Sequence, residues 1–231
     1  VRSEGDIHRT NYLDISKRMA QLAHGLISMG INPGDRVATL AWNGYRHLEL
    51  YYAISGIGAV CHTINPRLSS DQLTYIINHA EDLLLFVDLT FVPILESVKE
   101  KLPPEIKIII LTDKKNMPKT SLKTMCYEEL LKDKPQKINW PDFNEDSAAS
   151  LCYTSGTTGE PKGTLYSHRS TVLHAMMIAI SLPDALKEGK KILPVVPLFH
   201  VNAWGLPYAA PLTGAGIVFP GPKLDGDSLF N

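Results

Sequence analysis

The chain has 231 residues, of which 44% are hydrophobic, and its formal net charge is −1 at pH 7. This composition is sufficient for a substantial buried core, in one large domain or two small ones. It does not favour non-specific nucleic-acid binding, which needs a dense positive field. The three cysteines form no Cys-x-x-Cys pair, so neither a disulfide framework nor a zinc site is indicated. No apolar run approaches the ~20 residues of a membrane span. We therefore expect a cytoplasmic protein that is not an integral membrane protein and has no nucleic-acid partner, while a homodimer stays open.

Helices and strands alternate along the first half of the chain. Apolar residues recur at steps of three and four in the first segment, which predicts a helix over 12–29. Further helices are predicted over 45–57, 70–80 (with Ser69 or Ser70 as its N-cap) and 91–102, and strands over 36–41, 58–64, 83–88 and 106–113. Because these strands are apolar on both faces and alternate with helices, they predict a buried parallel sheet.

The second half is predicted to continue the same pattern after an irregular stretch. Residues 114–147 are polar, rich in lysine and interrupted by prolines, and we interpret them as a surface connection rather than a nucleic-acid patch. The later elements are a strand over 148–153, a helix over 167–182 capped by Ser167, a strand over 191–196, a helical or mixed segment over 201–213 and a strand over 215–220. The predicted regions are therefore 1–113, 114–147 and 148–231, in an α/β fold of mostly parallel sheets with helices on both faces.

The stretch LCYTSGTTGEPKG, residues 151–163, contains the clearest functional signal. It places hydroxyl side chains and two glycines after a buried strand, with Lys162 close behind. Free backbone amides, hydroxyl donors and one ammonium group suit a polyphosphate. The spacing does not fit the Gly-x4-Gly-Lys-Ser/Thr phosphate loop, which disfavours a kinase or ATPase of that class. A flexible turn rich in small polar residues is the alternative interpretation.

The order of residues in this loop resembles the phosphate-binding signature of the adenylate-forming superfamily, which includes the acyl-CoA synthetases. Residues 151–162 match the fixed positions of that signature, and Thr164 departs from it where valine is common. Residues 30–81 resemble the N-terminal segment of the family. Residues 197–226, which begin PLFHVNAW, resemble a segment of its medium- and long-chain fatty acyl-CoA synthetases. The resemblance covers nearly the whole chain and implies the N-terminal part of the large domain of the acyl-adenylate-forming fold.

The resemblance implies a reaction and a set of phosphate-binding residues. Such enzymes join a fatty acid to ATP as acyl-AMP, release pyrophosphate, and pass the acyl group to CoA. Donors and a metal must then offset the charge on the leaving pyrophosphate. Lys162 matches a catalytic and phosphate-binding position, and Thr154 matches a threonine that takes part in Mg²⁺ binding. The remaining residues implied to bind the ATP phosphates are Ser155, Gly156, Thr157, Thr158 and Gly159.

The resemblance also implies an acid-binding segment. His200 matches a position near the carboxylate and the α-phosphate, while Val201, Trp204 and Gly205 match the nucleotide and acyl channel. Trp204 resembles the gating tryptophan of long-chain members. From residue type alone, His200 is interpreted as structural more readily than functional, and Trp204 as a core anchor is the alternative. The predominantly apolar segment favours a medium- or long-chain acid over an aryl or short-chain acid.

Several motifs of a complete synthetase are missing from the sequence. We find no Tyr-Gly-x-Thr-Glu segment and no later Thr-Gly-Asp, nor the small C-terminal domain with its catalytic lysine. The chain is therefore expected to be a piece of an acid–thiol ligase that is inactive on its own. A non-catalytic or degenerate homologue that keeps the fold for binding or assembly is the main alternative.

Overall fold

A computed structural model describes residues 1–154 and 160–227. Its α-helices are α1 (Tyr12–Ser28), α2 (Tyr45–Gly56), α3 (Ser70–His79), α4 (Val92–Val98), α5 (Tyr127–Leu131), α6 (His168–Ser181) and α7 (Leu206–Thr213). Its strands are β1 (Arg36–Leu40), β2 (Val60–Thr63), β3 (Leu84–Val87), β4 (Lys107–Ile110), β5 (Thr124–Cys126), β6 (Ala148–Thr154), β7 (Lys162–Ser167), β8 (Lys191–Ile192) and β9 (Gly216–Ile217). Short 3₁₀ helices span Leu89–Phe91, Lys99–Lys101, Lys114–Asn116 and Val201–Gly205.

Seven strands form one sheet in the order β5-β4-β3-β1-β2-β6-β7. All neighbouring pairs from β5 to β6 are parallel, and β7 alone runs antiparallel at the edge beside β6. β8 and β9 form a separate parallel pair. The predicted α/β fold with a mostly parallel sheet is confirmed.

Helices cover both faces of the sheet. Side chains along each strand therefore alternate between two cores, one on each face. In β1, Val37 belongs to the core beneath α1, α2 and α5, whereas Ala38 and Leu40 belong to the core beneath α3 and α4. These side chains are completely buried. This alternation explains why the strands are apolar at almost every position.

The helix starts follow local capping chemistry. Ser69 accepts a hydrogen bond from the backbone N–H of Gln72, whose side chain returns to the Ser69 backbone and completes a capping box before α3. Ser167 caps α6 in the same way through the backbone N–H of Ser170. Both caps were among the predicted ones.

Two elements lie where the sequence predicted irregular structure. The polar segment 114–147 contributes the edge strand β5 and the short helix α5, and Tyr127 and Leu131 of α5 are buried in the core. The division of the chain into regions at 113 and 147 stays a prediction, although β6 pairs directly with β2.

The other differences between the predicted and the observed structure concern strands in the second half of the chain. The antiparallel strand β7 lies between the glycine-rich loop and α6, where no strand was predicted. The strands predicted over 191–196 and 215–220 shrink to the two-residue strands β8 and β9.

Candidate functional site

The β6–β7 hairpin positions the two described ends of the phosphate-loop candidate. Thr154 and Lys162 are directly paired across the hairpin, and Thr154 Oγ1 lies 3.5 Å from the carbonyl oxygen of Lys162, at the upper limit for a hydrogen bond. Both residues are exposed. Lys162 has no ion pair with any residue that the structure describes. The predicted phosphate ligands Ser155, Gly156, Thr157, Thr158 and Gly159 lie outside the described residues.

β6 is anchored in the sheet, which fixes where the hairpin opens. Ser150 and Leu151 pair in parallel register with Cys61 and His62 of β2, and the side chains of Ser150 and Leu151 are buried. Thr154 follows at the carboxyl end of this strand. Ligands of parallel α/β sheets commonly bind at this end, so the hairpin is directed towards a suitable edge of the sheet.

Asn43 holds the segment before His200 across the same edge. Asn43 follows β1 and is only 1% exposed. Its side-chain amide donates to the carbonyl oxygens of Pro194 (2.9 Å) and Val196 (3.0 Å), and its Oδ1 accepts from the backbone N–H of Leu198 at 2.6 Å. Tyr51 of α2 donates a further hydrogen bond to the Leu198 carbonyl oxygen. Two buried side chains therefore fix the chain that leads to His200.

Residues 201–204 form one turn of left-handed backbone. Their φ angles lie between 47° and 54°, a region that asparagine tolerates and that a β-branched residue such as Val201 rarely adopts. Asn202 is buried at the centre of this turn, and its Nδ2 donates to Ser150 Oγ at 2.8 Å. Cys152 Sγ donates to Asn202 Oδ1 at 3.4 Å, and Tyr51 Oη, whose proton is directed to the Leu198 carbonyl oxygen, lies 3.3 Å from the same atom. The turn is thereby attached to β6, the strand that leads into the phosphate-loop candidate.

The side chains predicted to form the acid site lie on either side of the buried Asn202 in the sequence. His200, Val201 and Trp204 are exposed, and Trp204 exposes 59% of its surface. The alternative interpretation of Trp204 as a core anchor therefore does not describe this chain. Whether His200, Val201 and Trp204 line a nucleotide and acyl channel stays a prediction.

Gly205 is explained by close packing. Its φ is +73°, and a Cβ atom there would lie 2.7 Å from His174 and 3.0 Å from Ile178, both on α6. Glycine is therefore needed for the close approach between this turn and α6. A channel role for Gly205 stays a prediction.

Comparison with known proteins identifies the family. A profile described as AMP-binding enzyme matches residues 1–231. The chain belongs to the AMP-binding enzyme family. It is 51% identical over 233 residues to a medium-chain fatty acid–CoA ligase from Ectopseudomonas oleovorans, covering 99% of the chain and 42% of that relative. It is 47% identical over 241 residues to a 3-methylmercaptopropionyl-CoA ligase from Ruegeria lacuscaerulensis, covering 100% of the chain and 43% of that relative.

Solved structures support the same family fold. The chain superposes on a long-chain fatty acid–CoA ligase from Archaeoglobus fulgidus with a TM-score of 0.78 at 23% identity, covering 93% of the chain and 40% of that structure. The chain thus spans less than half the length of each of these three relatives. No helix in the described ranges has the length and apolar character needed to cross a membrane.

The described residues of this chain do not make a Mg²⁺ site by themselves. Thr154 offers one hydroxyl oxygen, whereas Mg²⁺ prefers octahedral oxygen ligands, usually including carboxylates. Across residues 1–154 and 160–227, no three His, Cys, Asp or Glu side chains lie together in a way that could hold a metal ion. The metal role of Thr154 stays a prediction.

The crevice between β1 and β3, where the strand order reverses, is a second place where ligands commonly bind. In this chain, N-terminal residues occupy part of that edge. Asp88 accepts hydrogen bonds from the Ser3 hydroxyl (2.9 Å) and from the backbone N–H of Trp42 (2.7 Å). Burial raises the pKa of Asp88 to about 6 despite these two donors. We assign no ligand to this crevice, since both carboxyl oxygens of Asp88 already accept hydrogen bonds.

Sequence analysis missed the buried residues that organise the site. Asn43, Tyr51, Ser150 and Asn202 were not singled out, although Asn202 lies within the quoted HVNAW segment. A polar residue directly after an apolar strand was the available signal for Asn43. No sequence pattern indicated that Asn202 pairs with Ser150.

Proposed function

We propose that the chain is part of a carboxylic acid–CoA ligase that activates a medium- or long-chain fatty acid with ATP and transfers it to CoA. The observation that carries the proposal is the pairing of Thr154 with Lys162 at the carboxyl end of a parallel sheet, within the loop whose sequence resembles the adenylate-forming signature. The 51% identity to a medium-chain fatty acid–CoA ligase supports the substrate class. A cytoplasmic location is part of the proposal, and three buried free cysteines are consistent with a reducing compartment.

The reaction has two steps. A carboxylate oxygen of the acid forms a bond to the α-phosphorus of ATP, and the bond from that phosphorus to the bridging oxygen breaks, so that pyrophosphate leaves with the electron pair. The sulfur of CoA then attacks the acyl carbon, its thiol proton is lost, and AMP leaves. The first step brings anions together, so positive charge and hydrogen-bond donors near the phosphates lower its barrier.

Some residues of the chain are proposed to act on ATP and others on the acid. Lys162 is positioned to contribute positive charge beside the leaving pyrophosphate, with the Ser155–Gly159 backbone and hydroxyls as further donors. His200 lies on the segment held by Asn43 and is proposed to approach the carboxylate and the α-phosphate. Trp204 is proposed to control entry of the acyl chain. Mg²⁺, when bound, would neutralise phosphate charge, with Thr154 as one candidate ligand.

The isolated chain is proposed to be inactive, because it spans 42% of the medium-chain ligase that it matches. The full-length ligase is therefore the correct material for activity assays, and thioester formation by the 231-residue chain alone would contradict this part of the proposal.

A series of straight-chain acids tests the substrate class. Acid-dependent exchange of pyrophosphate into ATP is measured for the full-length ligase with even-numbered acids from acetate to palmitate. Each buried methylene contributes roughly 0.8 kcal/mol in an apolar channel, so kcat/KM should rise with chain length until the channel ends. A preference for acetate or benzoate over every longer acid would contradict the fatty acid assignment. The 47% identity to a ligase for the short acid 3-methylmercaptopropionate makes that acid a necessary member of the series.

A further inference from the structure

The residues proposed for ATP and for the acid lie on separate segments that are distant in sequence. Lys162 follows the β6 strand, while His200 precedes the left-handed turn and Trp204 is its last residue. In-line attack on the α-phosphorus requires the carboxylate and the phosphates to hold a fixed relative position. A misplacement of about 1 Å can lower the rate by about 10²-fold. Some contact within the protein must therefore fix one segment relative to the other.

The described side-chain hydrogen bonds between β6 and the left-handed turn all involve Asn202. Asn202 Nδ2 donates to Ser150 Oγ at 2.8 Å, and Asn202 Oδ1 accepts from Cys152 Sγ at 3.4 Å. Ser150 and Cys152 are alternate residues of β6, just before Thr154. All three contacting side chains are buried, with Ser150 completely inaccessible and Asn202 6% exposed. A buried hydrogen bond of this kind is costly to break.

The backbone of Asn202 fits the same role. Its φ of 51° lies in the left-handed region, where asparagine is among the best tolerated residues apart from glycine. This conformation presents the amide to β6 while His200 and Trp204 on either side stay exposed. Burial also raises the pKa of Cys152. The thiol therefore stays protonated and serves as a hydrogen-bond donor to the amide rather than as a nucleophile.

We propose that Asn202 is a positioning residue that couples the phosphate-loop strand to the acid-binding turn through its hydrogen bond with Ser150. The proposal rests on the proposed ligase function and adds the residue that aligns its two substrates. If this coupling exists, a change on one side of the site should alter how the enzyme uses the substrate on the other side. Loss of Ser150 Oγ, on the phosphate side, should change acid selection. Loss of the Asn202 amide, on the acid side, should weaken the use of ATP.

The test uses the full-length ligase and a double-mutant cycle. Ser150→Ala, Asn202→Gly and the double variant are compared by acid-dependent pyrophosphate exchange, with KM for ATP, kcat and the ratio of rates for octanoate and palmitate measured for each. Asn202→Gly removes the amide while permitting the left-handed backbone. Ser55→Ala is the matched control. It deletes a buried hydroxyl whose bond, 2.6 Å to the Tyr51 carbonyl oxygen, stays within α2.

We expect Asn202→Gly to raise KM for ATP and Ser150→Ala to alter the octanoate-to-palmitate ratio, each with a loss of about tenfold in kcat/KM. The double variant should lose no more than Asn202→Gly alone, because the hydrogen bond that Ser150→Ala removes is already absent in Asn202→Gly. If Asn202→Gly does not fold, Ser150→Ala still tests the effect across the site.

The proposal is overturned if each variant affects only its own substrate, if the losses of the single variants multiply, or if both variants behave like Ser55→Ala. A purely structural role would lower the melting temperature and leave KM for ATP and the chain-length ratio unchanged. A wild-type ligase without acid-dependent exchange would overturn the proposed function and this inference together, which distinguishes that failure from a failure of the coupling alone.

Discussion

Replacing Asn43 by alanine tests whether this side chain fixes the segment that leads to His200. The Asn43 side chain is 1% exposed and makes three hydrogen bonds to the backbone of residues 194–198. Alanine would leave two carbonyl groups and one N–H group without these partners. Each lost buried hydrogen bond contributes about 1 kcal/mol, so the free energy of unfolding should fall by about 3 kcal/mol.

Asn78→Ala is the matched control for this change. The Asn78 side-chain amide also donates to two backbone carbonyl oxygens, those of Thr74 (2.8 Å) and Lys101 (3.0 Å), but Asn78 is exposed. Water can replace its bonds, so the expected loss is about 0.5 kcal/mol.

Urea unfolding of the 231-residue chain, followed by circular dichroism, measures both variants. The Asn43→Ala midpoint should fall by about 1 M relative to wild type, with little change for Asn78→Ala. Equal, small losses in the two variants would refute the conclusion that Asn43 anchors the 194–198 segment.

Three further predictions address the site and the pH dependence of folding. Lys162→Ala in the full-length ligase should slow acyl-adenylate formation by about 10- to 1000-fold through loss of one charged transition-state contact, and an unchanged rate of pyrophosphate exchange would remove Lys162 from the mechanism. Trp204→Ala should change the chain-length profile with little loss of thermal stability, because the side chain is 59% exposed; a large stability loss with an unchanged profile would instead indicate packing. Burial raises the pKa of Asp88 to about 6 in the folded state. Between pH ~4 and ~6 the folded chain therefore binds more protons than the unfolded chain. The free energy of unfolding should fall by up to about 3 kcal/mol as the pH rises through this window. Asp88→Asn should remove that part of the pH dependence, and identical urea midpoints against pH for the two proteins would contradict the raised pKa.

The parallel core could be predicted because its pattern is local. β1 to β4 consist mostly of buried residues, the majority of them apolar, and α1 and α3 have regular apolar spacing with recognisable ends. β7 was missed for the opposite reason. It is an edge strand with four exposed residues at its start, so no alternation of buried and exposed side chains marks it. β5 and α5 were missed because only a few residues of a lysine-rich segment are buried.

The candidate site also combines features that the sequence predicts with features that it does not. The phosphate-loop residues and His200 could be proposed from the sequence because a motif is continuous in sequence. The contact of Asn202 with Ser150 joins residues that are 52 positions apart, and a left-handed turn at Val201–Trp204 contradicts local propensity. Tertiary contacts determine both features, so they required the structure.

The nucleotide product of the full-length ligase tests the central claim most directly. The enzyme is incubated with ATP and a medium-chain acid, without CoA, and the phosphorus-containing products are followed by ³¹P NMR after addition of excess hydroxylamine, which converts acyl-AMP to acyl hydroxamate and AMP. Acid activation predicts AMP and pyrophosphate in equal amounts, formed only when the acid is present. Formation of ADP and inorganic phosphate, or of AMP at the same rate without acid, would contradict the proposal that this chain carries the phosphate loop of an acid–CoA ligase.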